Sequence, residues 1–121
     1  MVCAGTKLYV IDNSGAKIVE CIKVLGKNSF FGFAGDVIIV SVKQVNPLKK
    51  IKKGQILRAV ISSTKKSKIR KNGMMVSFGL NCAVIVNNKN IPIGTRVLGP
   101  VMLELREKGL MKVVSMSTLA I

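Results

Sequence analysis

The sequence is 121 residues long, has a formal net charge of +15 and is 49% hydrophobic. This length supports one hydrophobic core, so we expect a single domain over residues 1–121. Five carboxylates, three cysteines without a C-x-x-C pair and no histidine argue against a metal centre, a disulfide framework and acid–base catalysis. We therefore expect neither an enzyme nor a bound cofactor, and the apolar runs are too short for a membrane-spanning helix.

The basic residues are concentrated in the middle of the chain. No acidic residue lies between Asp36 and Glu104, whereas thirteen of the 20 lysine and arginine residues lie there. Such one-sided charge repels itself unless a polyanion neutralises it. The pattern favours contact with a nucleic acid over the alternative, a basic surface that serves only solubility.

The N-terminal part predicts two antiparallel strands. Residues 6–11 form the first strand, and the turn-favouring residues 12–15 lead into a second strand at residues 16–25. Alternation gives this second strand two faces, which are Ile18, Ile22 and Val24 on one side and Lys17, Val19, Cys21 and Lys23 on the other. We expect Cys21 and Cys82 to be small buried strand residues, which is typical of a reducing compartment.

The loop at residues 26–35 holds three of the five aromatic residues, Phe30, Phe31 and Phe33. Aromatic rings in a loop can stack on splayed RNA bases. They can also plug the end of a β-barrel or contact a partner protein. Because no cation is interleaved with the rings, the sequence favours the apolar role, and we expect protein contact.

Residues 36–45 give the clearest strand, with Ile38, Val40 and Val42 on one face. The breaker Asn46-Pro47 ends this strand. A loop with four lysines follows, Lys49, Lys50, Lys52 and Lys53. Because another basic cluster lies only one strand away, phosphate contact is favoured over a merely solubilising turn.

Residues 55–86 predict a basic finger on a β scaffold. A strand at residues 55–62, with Leu57, Ala59 and Ile61 on one face, enters a loop rich in cations, and residues 72–73 supply a turn. The cations of this finger are Lys65, Lys66, Lys68, Arg70 and Lys71. Residues 81–87 return as a strand that is apolar on both faces, which is typical of a central, fully covered strand.

The C-terminal segment changes periodicity after residues 99–100. Val101, Met102 and Leu105 recur at helical spacing, so we expect a helix of about two turns that begins at Pro100 and ends at Gly109. Residues 110–116 look extended again. About six short strands and one late helix predict a mainly β fold, a small closed β-barrel.

Seven short segments stand out as motifs. They are DNSGAK (12–17), CIKVLG (21–26), VK (42–43), KKG (52–54), NG (72–73), PIGTRV (92–97) and GPV (99–101). Together, and in register over nearly the whole chain, they resemble the family of the fourteenth large-subunit ribosomal protein in its bacterial and organellar form. The sequence departs from that family at Ser62, where an aliphatic residue is usual, at residues 30–33, where a basic loop of small residues is usual, and at Leu80, where a polar or acidic residue is common.

The resemblance implies a five-stranded closed β-barrel at residues 1–98 with a projecting basic hairpin, and a short C-terminal helical segment and tail at residues 99–121. It implies a structural constituent of the large ribosomal subunit that binds large-subunit rRNA near the intersubunit face. It further implies an intersubunit bridge to small-subunit rRNA, neighbouring large-subunit proteins, and a ribosome silencing factor that docks at Thr95, Arg96 and Lys112.

The expected rRNA-binding residues neutralise phosphates and carry no base code. They are Lys17, Lys23, Lys49, Lys50, Lys52, Lys53, Lys65, Lys66, Lys68, Arg70 and Lys71. The alternative is a free-standing, OB-like module for single-stranded nucleic acid, which needs aromatic platforms between its cations, and only Tyr9 and Phe78 lie in the expected strands. The sequence contains sixteen lysines against four arginines, and the loop at residues 26–35, which we call the phenylalanine loop, departs from the family. Together these two features favour the mitochondrial matrix over the bacterial cytoplasm.

Overall fold

The structure is a computed structural model that describes residues 2–26, 31–65, 68–69, 73–76, 78–117 and 120–121, with the backbone alone at residues 68, 69 and 76. Seven strands and two short helices follow one another along this part of the chain. The strands are β1 (Lys7–Val10), β2 (Ala16–Val24), β3 (Val37–Val45), β4 (Ile56–Ser63), β5 (Lys68–Ile69), β6 (Met75–Val76) and β7 (Cys82–Val86), and the helices are α1 (Glu104–Glu107) and α2 (Met111–Met116).

Five of the strands close a barrel in the order β1-β2-β3-β4-β7. Neighbouring strands are antiparallel except β1 and β7, whose parallel pairing joins Tyr9 to Cys82 and Val10 to Ala83. Closure leaves none of these five strands with an open edge. β5 and β6 form a separate antiparallel hairpin between β4 and β7. The predicted closed, five-stranded β-barrel is therefore confirmed.

The interior of the barrel is filled by aliphatic side chains. Ile38, Val40 and Val42 of β3 are fully buried, as the alternation of that segment predicts. Ala59 and Ile61 of β4 are also fully buried, again as predicted. The other strands add Leu8, Val19, Cys21, Ala83 and Ile85 to the same cluster. Each fully buried aliphatic side chain contributes about 1.5–3 kcal/mol of transfer free energy, and this core holds the loops in place.

The predicted faces of β2 are wrong. Ile22 is 46% exposed, whereas Val19 and Cys21 are buried in the barrel interior. The pairing of β2 with β3 shifts register three times, between Ala16 and Ile18, between Ile18 and Val19, and between Cys21 and Lys23. The first and third shifts place an extra residue in β2 and exchange its two faces, so simple alternation fails twice within β2.

A second apolar core lies outside the barrel. Val60 of β4 and Val84 and Val86 of β7 alternate with interior residues and are nevertheless buried. The C-terminal segment covers them with Val97, Val101, Met102, Leu105, Val113 and Val114. This covering confirms that residues 81–87 include a strand that is buried on both faces, although Cys82 at its start is only half-buried.

The first predicted helix is shorter than expected. Helix α1 is a single turn, and Pro100 precedes its N-cap residue Leu103 instead of opening the helix. Gly109 follows the helix at φ +80°, a conformation that ends a helix, as predicted. No helix in the described part of the chain is long and apolar enough to span a membrane.

The expectation that residues 110–116 are extended is wrong, because they include helix α2. Leu110, Val113 and Val114, at positions i, i+3 and i+4, bury one face in the outer core, while Met111 and Lys112 are exposed. The adjacent valines favour a strand by local propensity. Packing against the barrel outweighs that propensity.

Candidate nucleic-acid interface

The excess of positive over negative charge is greater at the protein surface than in the sequence as a whole. Three of the five carboxylates are buried, namely Asp12, Asp36 and Glu104. Glu20 lies 3.7 Å from the Lys43 ammonium, measured from Oε2 to Nζ, and Glu107 is exposed. Every lysine whose side chain the structure describes is exposed. The solvent therefore meets an almost entirely positive surface, as a polyanion-binding protein requires.

Both carboxylate oxygens of Asp12 accept hydrogen bonds within the protein. Its Oδ1 accepts hydrogen bonds from the Ser14 backbone N–H (3.1 Å) and hydroxyl (2.5 Å), and its Oδ2 accepts one from the Ile85 N–H (2.9 Å). Burial raises the pKa of the Asp12 carboxyl above its usual value, although the hydrogen bonds from Ser14 and Ile85 act in the opposite direction. Asp12 thus ties the β1–β2 turn to β7.

Asn13 ties the same turn to the segment that follows β7. Its Oδ1 accepts hydrogen bonds from the backbone N–H groups of Thr95 (2.8 Å) and Arg96 (3.1 Å), and its Nδ2 donates to Thr95 Oγ1 (2.8 Å). Gly94 lies so close that a Cβ there would be 2.6 Å from Asn13 Oδ1. The DNSGAK and PIGTRV motifs therefore contact each other directly, and we call these contacts the Asn13 clamp.

A groove of about 450 Å³ opens beside the Asn13 clamp, and we call it the lysine groove. Its lining residues are Asn13, Ser14, Leu48, Lys49, Lys50, Ile51, Ile93, Gly94 and Thr95. Lys49 packs closely against the β1–β2 turn, and a Cβ added at Gly15 would collide with the Cβ of Lys49. Two ammonium groups beside amide and hydroxyl groups form a set of donors suited to phosphate oxygens.

The other two lysines of the same loop extend this positive surface. Lys52 and Lys53 are exposed in a tight turn. The Gln55 N–H donates to the Lys52 carbonyl (3.3 Å), and Gly54 adopts φ +84°. The structure therefore brings all four predicted lysines of this loop to the surface, with Lys49 and Lys50 in the groove itself.

The two predicted cations of β2 lie at different places. Lys17 is exposed next to the turn that packs on Lys49, so it lies at the same end of the barrel as the lysine groove. Lys23 is exposed near the other end of β2, where it pairs with Ile39. The structure brings Lys17 close to the lysine groove and leaves Lys23 apart from it.

The finger is described in part. Lys65 is exposed at its base, where its backbone N–H donates to Asn81 Oδ1 (2.8 Å). Lys68 lies in β5, and Lys66, Arg70 and Lys71 lie outside the described residues. The returning arm exposes Met74 and Met75, which sequence analysis missed although residues 72–80 contain no charge. The cationic role of the finger stays a prediction.

The phenylalanine loop lies near the N-terminus of the chain. Its Gly32 exchanges two backbone hydrogen bonds with Val2 (2.6 and 2.8 Å), and the Phe33 N–H donates to Asp36 Oδ2 (2.7 Å). Phe31 is exposed and Phe33 is half-buried, whereas Phe30 lies outside the described residues. Contact of these rings with a partner protein stays a prediction.

The three residues expected to meet a silencing factor are all exposed. Thr95 and Arg96 lie in the segment held by the Asn13 clamp. The Val97 N–H donates to the carbonyl of Met116 (3.3 Å), which places this segment against the end of α2, the helix that carries Lys112. The structure therefore brings the two segments together, and their partner stays a prediction.

The described strands do not offer the aromatic platforms of a single-strand-binding module. Tyr9, which is 48% exposed, is the one aromatic residue in them. Phe78 lies between β6 and β7 and packs partly buried against the outer core. Because stacking of successive bases needs several exposed rings, this arrangement argues against the OB-like alternative.

The family model of ribosomal protein L14p/L23e matches residues 1–121, which is the whole chain. The chain belongs to the ribosomal protein L14p/L23e family.

Proposed function

We propose that this protein is a structural constituent of the large ribosomal subunit that binds large-subunit rRNA through the lysine groove and the finger. The separation of charge carries the proposal: three of the five carboxylates are buried, while the described lysines are exposed. The family is structural and not enzymatic, and we assign the chain no catalytic step.

The proposed mode of binding is neutralisation of phosphates by a rigid cationic surface. The ammonium groups of Lys49 and Lys50 meet phosphates at the groove, and Lys52 and Lys53 continue the contact along the loop. Folded RNA presents phosphates at fixed separations, so a protein that fixes the positions of its cations selects a shape rather than a base sequence. The Asn13 clamp supplies that rigidity beside the groove.

Other cations add to the same contact in this proposal. They are Lys17, Lys23, Lys65, Lys66, Lys68, Arg70 and Lys71. The finger includes a two-stranded sheet that is separate from the barrel, which supports a contact of its cations with RNA beyond the reach of the barrel. Large-subunit rRNA near the intersubunit face is the proposed ligand.

The proposal extends to the partners of the assembled ribosome. The protein helps form an intersubunit bridge to small-subunit rRNA, and Phe30, Phe31 and Phe33 contact a neighbouring large-subunit protein. A ribosome silencing factor docks at the exposed Thr95, Arg96 and Lys112. The lysine-rich composition and the phenylalanine loop support the mitochondrial matrix over the bacterial cytoplasm.

Binding of the purified protein to large-subunit rRNA at several salt concentrations tests the proposal. The slope of log K against log salt concentration is negative, and each phosphate contact contributes about 0.7–0.9 to its magnitude. The double variant Lys49→Gln/Lys50→Gln should therefore reduce this magnitude by about 1.4–1.8. The matched control is Lys7→Gln/Lys89→Gln, which removes two exposed lysines away from the groove and should leave the slope nearly unchanged.

Two results would overturn the proposal. One is an equal slope for the groove variant and its control; the other is failure of the protein to co-sediment with large subunits. Tight, sequence-tolerant binding of single-stranded oligonucleotides, with quenching of Tyr9 fluorescence, would instead support the OB-like alternative.

A further inference from the structure

We propose that a groove centred on Arg58 docks a segment of a neighbouring protein in which an aspartate or glutamate is flanked by aliphatic residues. This groove, which we call the Arg58 groove, has a volume of about 260 Å³. It is lined by Ile39, Ile56, Leu57, Arg58, Val86, Asn87, Asn88 and Ile93. Apart from Ile93, which the two grooves share, it is built from residues that the lysine groove does not use.

The Arg58 groove lies where the covering of the outer face of the barrel stops. Register places Ile39, Arg58 and Val86 side by side across β3, β4 and β7. Farther along β4 the C-terminal helices cover the outward side chains, but Ile56 is 65% exposed and Ile93 is 48% exposed. Exposed aliphatic residues that continue a buried apolar face are typical of a surface covered by another protein.

Arg58 itself is incompletely paired. Its Nε is shielded from solvent and has no hydrogen-bond partner among the described residues. Its Nη1 donates to the Asn88 carbonyl over 3.4 Å, which is long for a hydrogen bond. A guanidinium offers five N–H donors in a planar fork that matches a carboxylate. A carboxylate that enters the groove therefore recovers the free energy lost by a shielded, unpaired donor.

The aliphatic walls favour a protein carboxylate over an RNA phosphate. An RNA backbone carries ribose hydroxyls and further charged oxygens on both sides of each phosphate, and Ile56 and Ile93 would remove water from those groups without replacing their hydrogen bonds. A peptide instead places apolar side chains beside its carboxylate, where they bury the isoleucines. The lysine groove has the opposite character, with two lysines among amide and hydroxyl groups.

Photo-cross-linking in purified large subunits identifies the occupant. The photoreactive residue p-benzoylphenylalanine replaces Ile56, which lines the Arg58 groove but not the lysine groove. We expect a cross-link to a protein segment with Asp or Glu within a few residues of the attachment point. The same probe at the exposed Tyr9 is the control and should reach a different neighbour.

A synthetic peptide of the cross-linked sequence then tests the role of the guanidinium. Arg58→Gln should weaken its binding to the isolated protein roughly 10- to 100-fold, because a hydrogen-bonded charge pair is lost. Changing the peptide carboxylate to its amide should have the same effect, and combining both changes should add little more. Arg58→Lys should retain part of the affinity, since the charge stays but the fork is lost.

Several outcomes would overturn the inference. They are a cross-link from position 56 to RNA, to a second copy of this chain or to a segment without Asp or Glu, no cross-link at all, and equal peptide affinity of the native and Arg58→Gln proteins. The inference depends on the proposed ribosomal role in one respect, which is the choice of the large subunit as the particle in which the partner is sought. If the protein enters large subunits with its salt dependence as expected, a failed cross-link counts against the Arg58 groove alone.

Discussion

Asn13 and Thr95, 82 positions apart in the sequence, are joined by two side-chain hydrogen bonds of 2.8 Å each. One runs from Asn13 Nδ2 to Thr95 Oγ1, and the other from the Thr95 N–H to Asn13 Oδ1. An amide side chain is suited to this position because it supplies one donor and one acceptor at once. The pair fixes one side of the lysine groove.

Removing the Asn13 side chain should destabilise the protein and loosen the groove. Asn13→Ala loses three hydrogen bonds, and we expect the free energy of unfolding to fall by about 1–3 kcal/mol. Thr95→Val loses only the bond to its hydroxyl and should cost less, about 0.5–1.5 kcal/mol. Urea denaturation measures both. Gln44→Ala, at an exposed position on β3, is the control, and an Asn13→Ala protein as stable as this control would contradict the clamp.

A methyl group at Gly15 should be far more costly than one at Gly5. Both glycines have positive φ, +114° and +90°, so alanine at either position is strained by about 1–2 kcal/mol. At Gly5 the space around the added Cβ is open, whereas at Gly15 it collides with Lys49. Gly15→Ala should therefore lose about 1–3 kcal/mol more than Gly5→Ala in thermal or urea unfolding, and should also weaken rRNA binding. Equal losses would show that Lys49 does not pack on the turn.

Replacing Ser62 by alanine should stabilise the protein. The Ser62 side chain is fully buried, and its hydroxyl has no hydrogen-bond partner among the described residues. Removal of this unpaired group should raise the free energy of unfolding by about 1 kcal/mol. The backbone hydrogen bond from the Met102 N–H to the Ser62 carbonyl is retained. The control is Ser41→Ala, at a half-exposed site, which should change the free energy of unfolding by less than about 0.5 kcal/mol. A Ser62→Ala protein that is less stable than the native one would show that the Ser62 hydroxyl is not an unpaired, destabilising group.

The buried Asp12 should give a pH dependence of a defined sign. Because burial raises the pKa of its carboxyl, the folded state binds this proton more tightly than the unfolded state does. The resulting stabilisation is fully present below the ordinary pKa of about 3.9 and is lost as the pH rises through the raised folded value. The stability difference between the native protein and Asp12→Asn should therefore fall as the pH rises from acid towards neutrality.

Two measurements check this pH dependence. Urea denaturation of both proteins across the acid range gives the difference directly, with the variant as the control for all other carboxyl groups. Carbon NMR of the Asp12 carboxyl in the folded protein should give an apparent pKa above about 3.9. A difference that grows with pH would mean that hydrogen bonds from Ser14 and Ile85 outweigh burial.

The sequence predicts the barrel where alternation is uninterrupted. β3 and β7 read correctly because their interior residues alternate without a break, from Ile38 to Val42 in β3 and from Ala83 to Ile85 in β7. β2 could not be read in this way, since its two bulges have no signature in a single sequence. Helix α2 was missed because the surface that makes it helical, the outer face of the barrel, is distant in sequence.

The candidate site divides in the same way. The charges of Lys49 and Lys50 are visible in the sequence, and the structure places both in one groove. The partners that shape this groove, Asn13 and Thr95, could be identified as motif residues but not as neighbours. The alternation of residues 55–62 gives Arg58 no special role, and only the tertiary structure shows that its Nε is shielded from solvent in a groove lined by isoleucines.

The parallel pairing of β1 with β7 constrains the order of folding during synthesis. The first barrel strand to be synthesised, β1, must wait for the last, β7, because only β7 can pair with its second edge. The lysine groove waits longer still, since residues 93–95 supply part of its lining. A nascent chain that stops earlier carries the lysines without their arrangement, so it lacks the surface on which selection of a folded RNA depends.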